Sequence, residues 1–401
     1  MELSDLAAIV QPGRRKILLF VLDGLGGLPM EPGGPTELEA ARTPNMDDLA
    51  RRGGCGLHIP VSTGVTPGSG PGHLALFGYD PLRYRVGRGV LAALGIGFDL
   101  RPGDIAARGN FCTVDGEGRI VDRRAGRISS EDAAPLAERL DQIRVKGAET
   151  FVRHVKEHRF LIVIRPARAS GAEVSDTDPG RTGVIPAEPV ALSDAAGLTA
   201  DMVRAWLAAA REALADQAAA NMVLLRGFSS RPGWPRFGDV FGLRPFAAAA
   251  YPMYRGVARL VGMEAMEAGE EPEDLVAALL EHREGHDFFF LHYKATDKAG
   301  EDGDFDRKVA CIEAADSVVP DLLEAGADVV LITGDHSTPA CSRGHSWHPV
   351  PFLLFGGEGR AETAMNFGET ACRLGSLGMV RGCDLMPLAV ARAGRLAKFG
   401  A

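Results

Sequence analysis

The stretch Lys16-Ile17-Leu18-Leu19-Phe20-Val21-Leu22-Asp23-Gly24 sets the reading of the chain. Its apolar run is continuous rather than alternating, as in a strand of a parallel sheet covered on both faces. It stops at a turn that carries a carboxylate. Two later segments share this grammar: Asp287-Phe-Phe-Phe-Leu-His-Tyr-Lys294, followed by Asp297, and Asp328-Val-Val-Leu-Ile-Thr333, followed by Gly334-Asp335-His336. Ligands of open α/β sheets bind beyond the carboxyl ends of the strands, where all three acids are then expected to meet.

Helical patterns lie between these runs. Thr43-Pro44 offers an N-cap and a first-turn proline, and Gly53-Gly54 ends the segment. Residues 272–284 carry early acids, an apolar stripe and Gly285 as a stop. Residues 305–325 space Val309, Ile312, Val319 and Leu322 as a helix does, and Pro320 is expected to kink or restart it. The middle of the chain differs. It has shorter strand-like pieces (110–114 and 159–165), a charged helical stretch near 131–145 and an amphipathic helix over 199–216. Residues 170–198 show no clear element. The expectation is an α/β core with a mostly parallel sheet, formed by residues 1–100 and 240–401, into which a smaller α+β domain, 101–239, is inserted.

Composition bounds the partners. Forty-four basic residues face 53 acidic ones, for a net charge of −9, and no basic run or stripe suggests a nucleic-acid surface. No stretch approaches the eighteen or more apolar residues of a membrane span. The six cysteines contain no CxxC pair, so reduced thiols and a cytoplasmic location are expected rather than a disulfide framework or a zinc ribbon. The acidic balance alone argues against a phosphorylated substrate, which such a chain repels at long range.

The chemistry is carried by Asp23, Asp297, Glu301, Asp335, His336 and His345 taken together. Any one of these acids alone reads as an ordinary turn or helix cap. Four carboxylates and two imidazoles at three inferred strand ends read instead as ligands for two divalent ions. Asp297 and Glu301, four apart, point the same way on a helical turn. Asp335 and His336, adjacent, are expected to point apart and so to serve two nearby metals. In Thr66-Pro-Gly-Ser69-Gly-Pro-Gly-His73, Ser69 sits between glycines at a helix start, where backbone N–H groups favour a phosphate. Taken locally, an ordinary serine cap explains it as well, because a hydroxyl needs a base or metal to become a nucleophile.

Several segments resemble the alkaline phosphatase superfamily: Val21-Leu-Asp-Gly24, Thr43-Pro-Asn-Met-Asp-Asp-Leu-Ala50, residues 66–81 and Gly334-Asp-His-Ser-Thr-Pro339. Within it, others are similar to the archaeal-type, cofactor-independent phosphoglycerate mutases: Gly87-Arg-Gly-Val-Leu-Ala-Ala-Leu-Gly95, Asp122-Arg-Arg-Ala-Gly-Arg-Ile128, Val174-Ser-Asp-Thr-Asp-Pro179, Tyr254-Arg-Gly-Val-Ala-Arg-Leu-Val-Gly262, 294–304 and His345-Ser-Trp-His-Pro-Val-Pro351. The resemblance implies interconversion of 3-phosphoglycerate and 2-phosphoglycerate, with Ser69 as the nucleophile that becomes phosphoserine. It assigns Asp23, Ser69, Asp335 and His336 to one metal, and Asp297 and His345 to the other. It also selects His345 over His348, leaving His348 and His73 as supporting side chains.

The third ligand of the second site is a histidine in that family, whereas this chain has Glu301. A glutamate keeps the reach and adds an anion, so the preference is expected to move towards manganese or magnesium, with zinc or cobalt as further candidates. A mutase must also retain its glycerate between two phosphoryl transfers, which calls for cations. Arg124, Arg127, Arg255, Arg259 and Lys294 are the candidates, because arginine suits bidentate carboxylate or phosphate recognition. Two alternatives remain: another metal-dependent phosphohydrolase or phosphomutase of the superfamily, and a homologue whose catalysis Glu301 has altered.

Overall fold

The computed structural model describes residues 1–359, 361 and 366–400. It divides into two compact units, one of Met1–Arg85 with Trp234–Ala401, the other of Val86–Gly233.

The first unit is built on an eight-stranded sheet in the order Gly378–Arg381, Gly54–Ile59, Val350–Gly356, Val329–Thr333, Ile17–Leu22, Phe288–Tyr293, Pro245–Ala249, Glu264–Met266. All neighbours are parallel except Val350–Gly356, which runs against both strands beside it. The three apolar runs are therefore adjacent central strands, fully buried along their lengths as two-faced coverage demands. Leu22 pairs with Tyr293 and Val21 with Thr333, so the three strands finish level and their carboxyl ends open side by side. One covering face of the core joins Leu18, Phe20 and Leu22 to Leu275, Leu279, Ile312 and Leu322 from helices that cross behind the sheet. Those helices start where the sequence signals them: Pro272–His282 with proline in its first turn, and Phe305–Ser317 followed by a restart at Val319 with Pro320 in the new first turn. Thr43 departs from its expected role. It occupies the N-cap without capping, and Asp316 instead accepts from the N–H groups of Asn45 and Met46.

The second unit is an antiparallel sheet centred on Ile105–Val114. That strand pairs with Arg159–Pro166 on one side and with Met222–Ser229 and Ile120–Asp122 on the other, and Ala148–Lys156 follows Arg159–Pro166. Helices Ser130–Asp141 and Gly197–Ala213, the latter through Trp206, pack over Phe111 and Phe160. The unit starts at Val86, earlier than the expected residue 101, because helix Arg88–Gly95 packs on this sheet. A β-carbon on Gly89 would meet the Ala106 carbonyl at 2.1 Å, an approach only glycine permits. Its end at Gly233 precedes the expected residue 239 because Phe237–Phe241 is a helix of the first unit. Between 170 and 196 the regular structure is slight, a Val174–Ala191 bridge and a short 3-10 turn at Asp194–Ala196, and scattered backbone hydrogen bonds such as Thr177 N–H to Leu225 O and Gly183 N–H to Ile120 O tie the segment down.

No helix among the described residues is long and apolar enough to cross a membrane.

Candidate active site

Asp23, Asp297, Asp335, His336 and His345 come together at the carboxyl ends of the central strands. Two groups of side chains there could hold a divalent ion: Asp23, Asp335 and His336, all buried, and Asp297, His336 and His345.

The loop after Leu22 is possible only because residue 24 is glycine. Its φ is +63°, and a β-carbon would lie 2.5 Å from Thr338 Oγ1 and 2.8 Å from Asp297 Oδ1. The loop then pairs with the segment after Asp335: the Thr338 N–H donates to the carbonyls of Gly24 and Gly26. Lys308, wholly buried, ties the same two segments by donating to Gly26 O at 3.0 Å and Thr338 O at 2.9 Å, with the Glu37 carboxylate 3.8 Å away.

Hydrogen bonds fix the tautomers of both histidines. The Thr338 hydroxyl gives its only proton to Asp297 Oδ1 at 2.6 Å, so His336 Nδ1, 2.9 Å from that hydroxyl oxygen, must be the donor. The lone pair of His336 is then on Nε2, 3.3 Å from Asp23 Oδ1 and 3.3 Å from Asp335 Oδ2. His345 Nδ1 donates to the Pro67 carbonyl at 2.9 Å, which leaves its Nε2 lone pair 3.6 Å from Asp297 Oδ1 and 4.0 Å from Glu301 Oε1. Since Nε2 of His336 faces Asp23 and Asp335, that imidazole belongs with the first group. Glu301 is outside both groups, with Oε1 4.0 Å from His345 Nε2. It lies on helix Ala295–Asp302 one turn from Asp297, with its side chain 55% exposed.

Adjacent Asp335 and His336 therefore meet in one group instead of diverging. The expected divergence assumed an extended strand, but the strand ends at Thr333 and the chain bends through 335 and 336.

Charge at the site is arranged to keep the acids ionised. Burial pushes the Asp23 carboxyl up, yet Lys294, His292 and His336 outweigh it and hold the group well below the usual carboxylate range. Asp335 is also held down: burial and Asp23 oppose ionisation, while His336 and His73 more than compensate. Burial lowers the His336 pKa against the opposing pull of Asp335 and Asp23. Lys294 Nζ bridges Asp23 Oδ2 at 2.9 Å and Asp297 Oδ2 at 2.5 Å, and these anions raise its pKa despite burial. Asp23 Oδ1 is buried without a hydrogen-bond partner among the described residues, and Asp335 Oδ2 lies 3.1 Å from His73 Nδ1 and 3.3 Å from His336 Nε2. Two buried anionic oxygens converging on one imidazole nitrogen fit a divalent cation.

Ser69 is the first residue of helix Ser69–Leu76, with Gly68 rather than the serine itself as the N-cap. Its Oγ lies 3.4 Å from His336 Nε2, beside the first group. His73, one turn on, contacts the Ser69 carbonyl at 2.8 Å and Asp335 Oδ2 at 3.1 Å, so it braces both. A β-carbon on Gly72 would strike the Asp335 carbonyl at 2.4 Å; glycine there lets the helix press against the loop that carries Asp335. His348 lies outside both groups, with Nδ1 3.1 Å from Ser346 Oγ.

The arginines separate into two kinds. Arg255, 6% exposed, donates to the carbonyls of Ala249 and Ala250 and pairs with Glu267 at 2.9 Å, and Arg259 donates to Ala265 O. Both thus brace backbone on the strands beside their helix, an occupation the sequence did not announce. Arg124 and Arg127, in the second unit, are exposed. They flank Ala125 and Gly126 in a turn whose residues 125, 126 and 127 all have positive φ (+48°, +67° and +55°), strain of the kind found at functional loops. The turn is held by Asp122, which accepts from the N–H groups of Arg124 and Gly126. Arg123 anchors it through a bidentate pair with buried Asp178.

Sequence reasoning missed Thr338, Lys308, Glu37, Tyr254 and His292. Tyr254 and Thr338 lay inside segments quoted for the resemblance, which was the available signal. Lys308, Glu37 and His292 read as ordinary residues of helices and strands.

A family model described as 2,3-bisphosphoglycerate-independent phosphoglycerate mutase matches residues 50–220. A probable 2,3-bisphosphoglycerate-independent phosphoglycerate mutase of Thermus thermophilus is 50% identical over 401 residues, covering 99% of this chain and 98% of the relative. One from Aquifex aeolicus is 45% identical, covering 99% of both chains. Among solved structures, the PH0037 protein from Pyrococcus horikoshii matches with a TM-score of 0.84 at 31% identity, over 97% of this chain and all of that one. The cofactor-independent phosphoglycerate mutase from Thermoplasma acidophilum matches with a TM-score of 0.71 at 28% identity, over 95% of this chain and all of that one. Half the residues shared across nearly the full length of a relative place the chain in the family of 2,3-bisphosphoglycerate-independent phosphoglycerate mutases.

Proposed function

We propose that this chain interconverts 3-phosphoglycerate and 2-phosphoglycerate through a phosphoserine at Ser69. The observation that carries the reading is the position of Ser69 Oγ, at a helix start and 3.4 Å from His336 Nε2, beside two groups of metal-competent side chains. Asp23, Asp335, His336 and Ser69 would hold one divalent ion, and Asp297, His345 and Glu301 the other. When bound, the two ions supply Lewis acidity that lowers the serine hydroxyl pKa and offsets charge on the phosphoryl oxygens. The oxygen-rich donor set, with Glu301 in place of an imidazole, favours manganese, and magnesium ahead of zinc or cobalt.

In this mechanism Ser69 Oγ attacks phosphorus in line with the glycerate oxygen. Ser69 gives up its hydroxyl proton as its bond to phosphorus forms, the P–O bond to glycerate breaks, and the departing alkoxide takes up a proton, so one proton is lost and one gained. Glycerate then presents its other hydroxyl, which attacks the phosphoserine and releases Ser69. Lys294 keeps its charge between Asp23 and Asp297 and can share it with an arriving phosphoryl oxygen. Arg124 and Arg127 are candidate cations for the substrate carboxylate because their side chains are exposed, while Arg255 is engaged by backbone and Glu267. The net charge of −9 is no obstacle, because the acids gathered at the site are offset locally by metal ions and Lys294.

Phosphoenzyme trapping tests this assignment. Acid-quenched wild-type protein incubated with labelled 3-phosphoglycerate and manganese should carry acid-stable label, and Ser69→Ala should carry none. Labelling that persists in the variant would remove Ser69 from the role.

A further inference from the structure

Asp23 presents its two carboxylate oxygens to different surroundings. Oδ2 accepts from the Tyr254 hydroxyl and, at 2.9 Å, from Lys294 Nζ, with His292 Nε2 3.2 Å away. Oδ1 is buried without a hydrogen-bond partner among the described residues and faces His336 Nε2. Tyr254 is 1% exposed, on helix Pro252–Leu260. Its ring is clamped: it stacks on His292 with centroids 3.6 Å apart and lies 4.9 Å from His73. A phenol so enclosed has little freedom to swing its hydroxyl elsewhere.

We propose that Tyr254 is a positioning residue that occupies Asp23 Oδ2, so that Asp23 offers a metal ion only Oδ1. The inference rests on Asp23 being a ligand as proposed above. A carboxylate with two free oxygens can chelate through both or turn about its χ2 bond, which is broad and weakly restrained. Two donors on Oδ2 remove both options. They fix the plane of the carboxylate and leave the orphaned oxygen aimed at the His336 lone pair. A one-oxygen Asp23 also leaves a coordination position that a phosphoryl oxygen can take. Partners of this kind around a metal ligand alter metal affinity by roughly 10–100-fold when removed. Among the described residues, Tyr254 is suited to isolated removal, since Lys294 also serves Asp297 and its loss disturbs both groups.

The test is a manganese titration of metal-stripped, full-length protein, with free Mn²⁺ read by electron paramagnetic resonance. Tyr254→Phe keeps the ring and its stack on His292 and removes only the hydroxyl. It should still bind two equivalents, with one class weakened roughly 10–100-fold and the other unchanged. Turnover should recover as manganese is raised. A purely structural tyrosine would lower the melting temperature and leave both affinities alone, and wild-type affinity at both sites overturns the proposal. Asp23→Asn run in parallel separates the two claims. If Asp23→Asn retains both sites, the ligand assignment fails; if it loses one while Tyr254→Phe loses nothing, only the role of Tyr254 fails. Should Tyr254→Phe not accumulate folded, Tyr254→Leu removes the same hydroxyl while keeping an apolar side chain there, and wild-type affinity at both sites would equally overturn the proposal.

Discussion

Thr338 donates its hydroxyl proton to Asp297 Oδ1 across 2.6 Å, and through this bond one small side chain orients two side chains of the site. With its proton committed, Thr338 can only accept from His336, whose Nε2 lone pair is thereby turned towards Asp23 and Asp335. Thr338→Val keeps the shape and removes both bonds. It should weaken manganese binding by roughly 10–100-fold and cost about 1–3 kcal/mol of stability through the buried groups left unpaired. Thr338→Ser should restore both. Calorimetric metal titration and urea unfolding of the three proteins check this; a valine variant with wild-type affinity would show that the tautomer is fixed by something else.

Glu301 is where this chain leaves the pattern it otherwise resembles, and it stands 4.0 Å from His345 Nε2. Glu301→His exchanges a hard oxygen donor for an imidazole. The ratio of zinc to manganese affinity should rise by about tenfold or more, while Glu301→Ala should weaken one of the two bound ions without reordering the metals. Competition titrations with a chromogenic chelator measure both. An unchanged ratio in Glu301→His would mean that Glu301 is a neighbour of the second site and not a donor to it.

His58 gives a pH signature away from the ligands. Burial lowers its pKa from 6.5 to about 4, and its Nε2 lies 3.0 Å from the Gly334 carbonyl on the strand end that leads to Asp335. The folded ring stays neutral in a range where the unfolded one takes up a proton. Its contribution is therefore complete above pH 6.5 and drains away as the pH falls towards 4. Between pH 7 and pH 4.5 that amounts to about 2–3 kcal/mol. His58→Gln keeps a donor but cannot titrate, so the stability of wild type relative to the variant should fall by this amount over the same interval. Urea unfolding of the metal-free proteins at the two pH values measures it, and a difference that grows on acidification would contradict it.

Much of the fold was legible because burial on both faces leaves a trace in one dimension. The runs at 17–22, 288–293 and 329–333 are continuous, each stops at a polar turn, and the strand-end rule then gathers Asp23, Asp297 and Asp335. Pro320 restarted its helix for an equally local reason, its missing N–H. The limits are as physical. Asp335 and His336 were expected to diverge because adjacency was read as strand geometry, whereas the chain bends once the strand has ended. The backbone contacts of Arg255 and Arg259 were not legible, since a guanidinium on backbone carbonyls and one facing solvent have the same sequence. Tyr254, Thr338 and Lys308 act on partners as far as 231, 41 and 282 residues away, and no local spacing encodes such contacts.

The central claim is that this site moves a phosphoryl group between two hydroxyls of one glycerate. Phosphorus NMR of 3-phosphoglycerate incubated with the manganese-loaded protein tests it most directly. The account predicts growth of the 2-phosphoglycerate resonance to an equilibrium mixture, with little inorganic phosphate and no requirement for bisphosphoglycerate. Inorganic phosphate as the main product, or an unchanged spectrum with manganese, magnesium, zinc and cobalt alike, would contradict it.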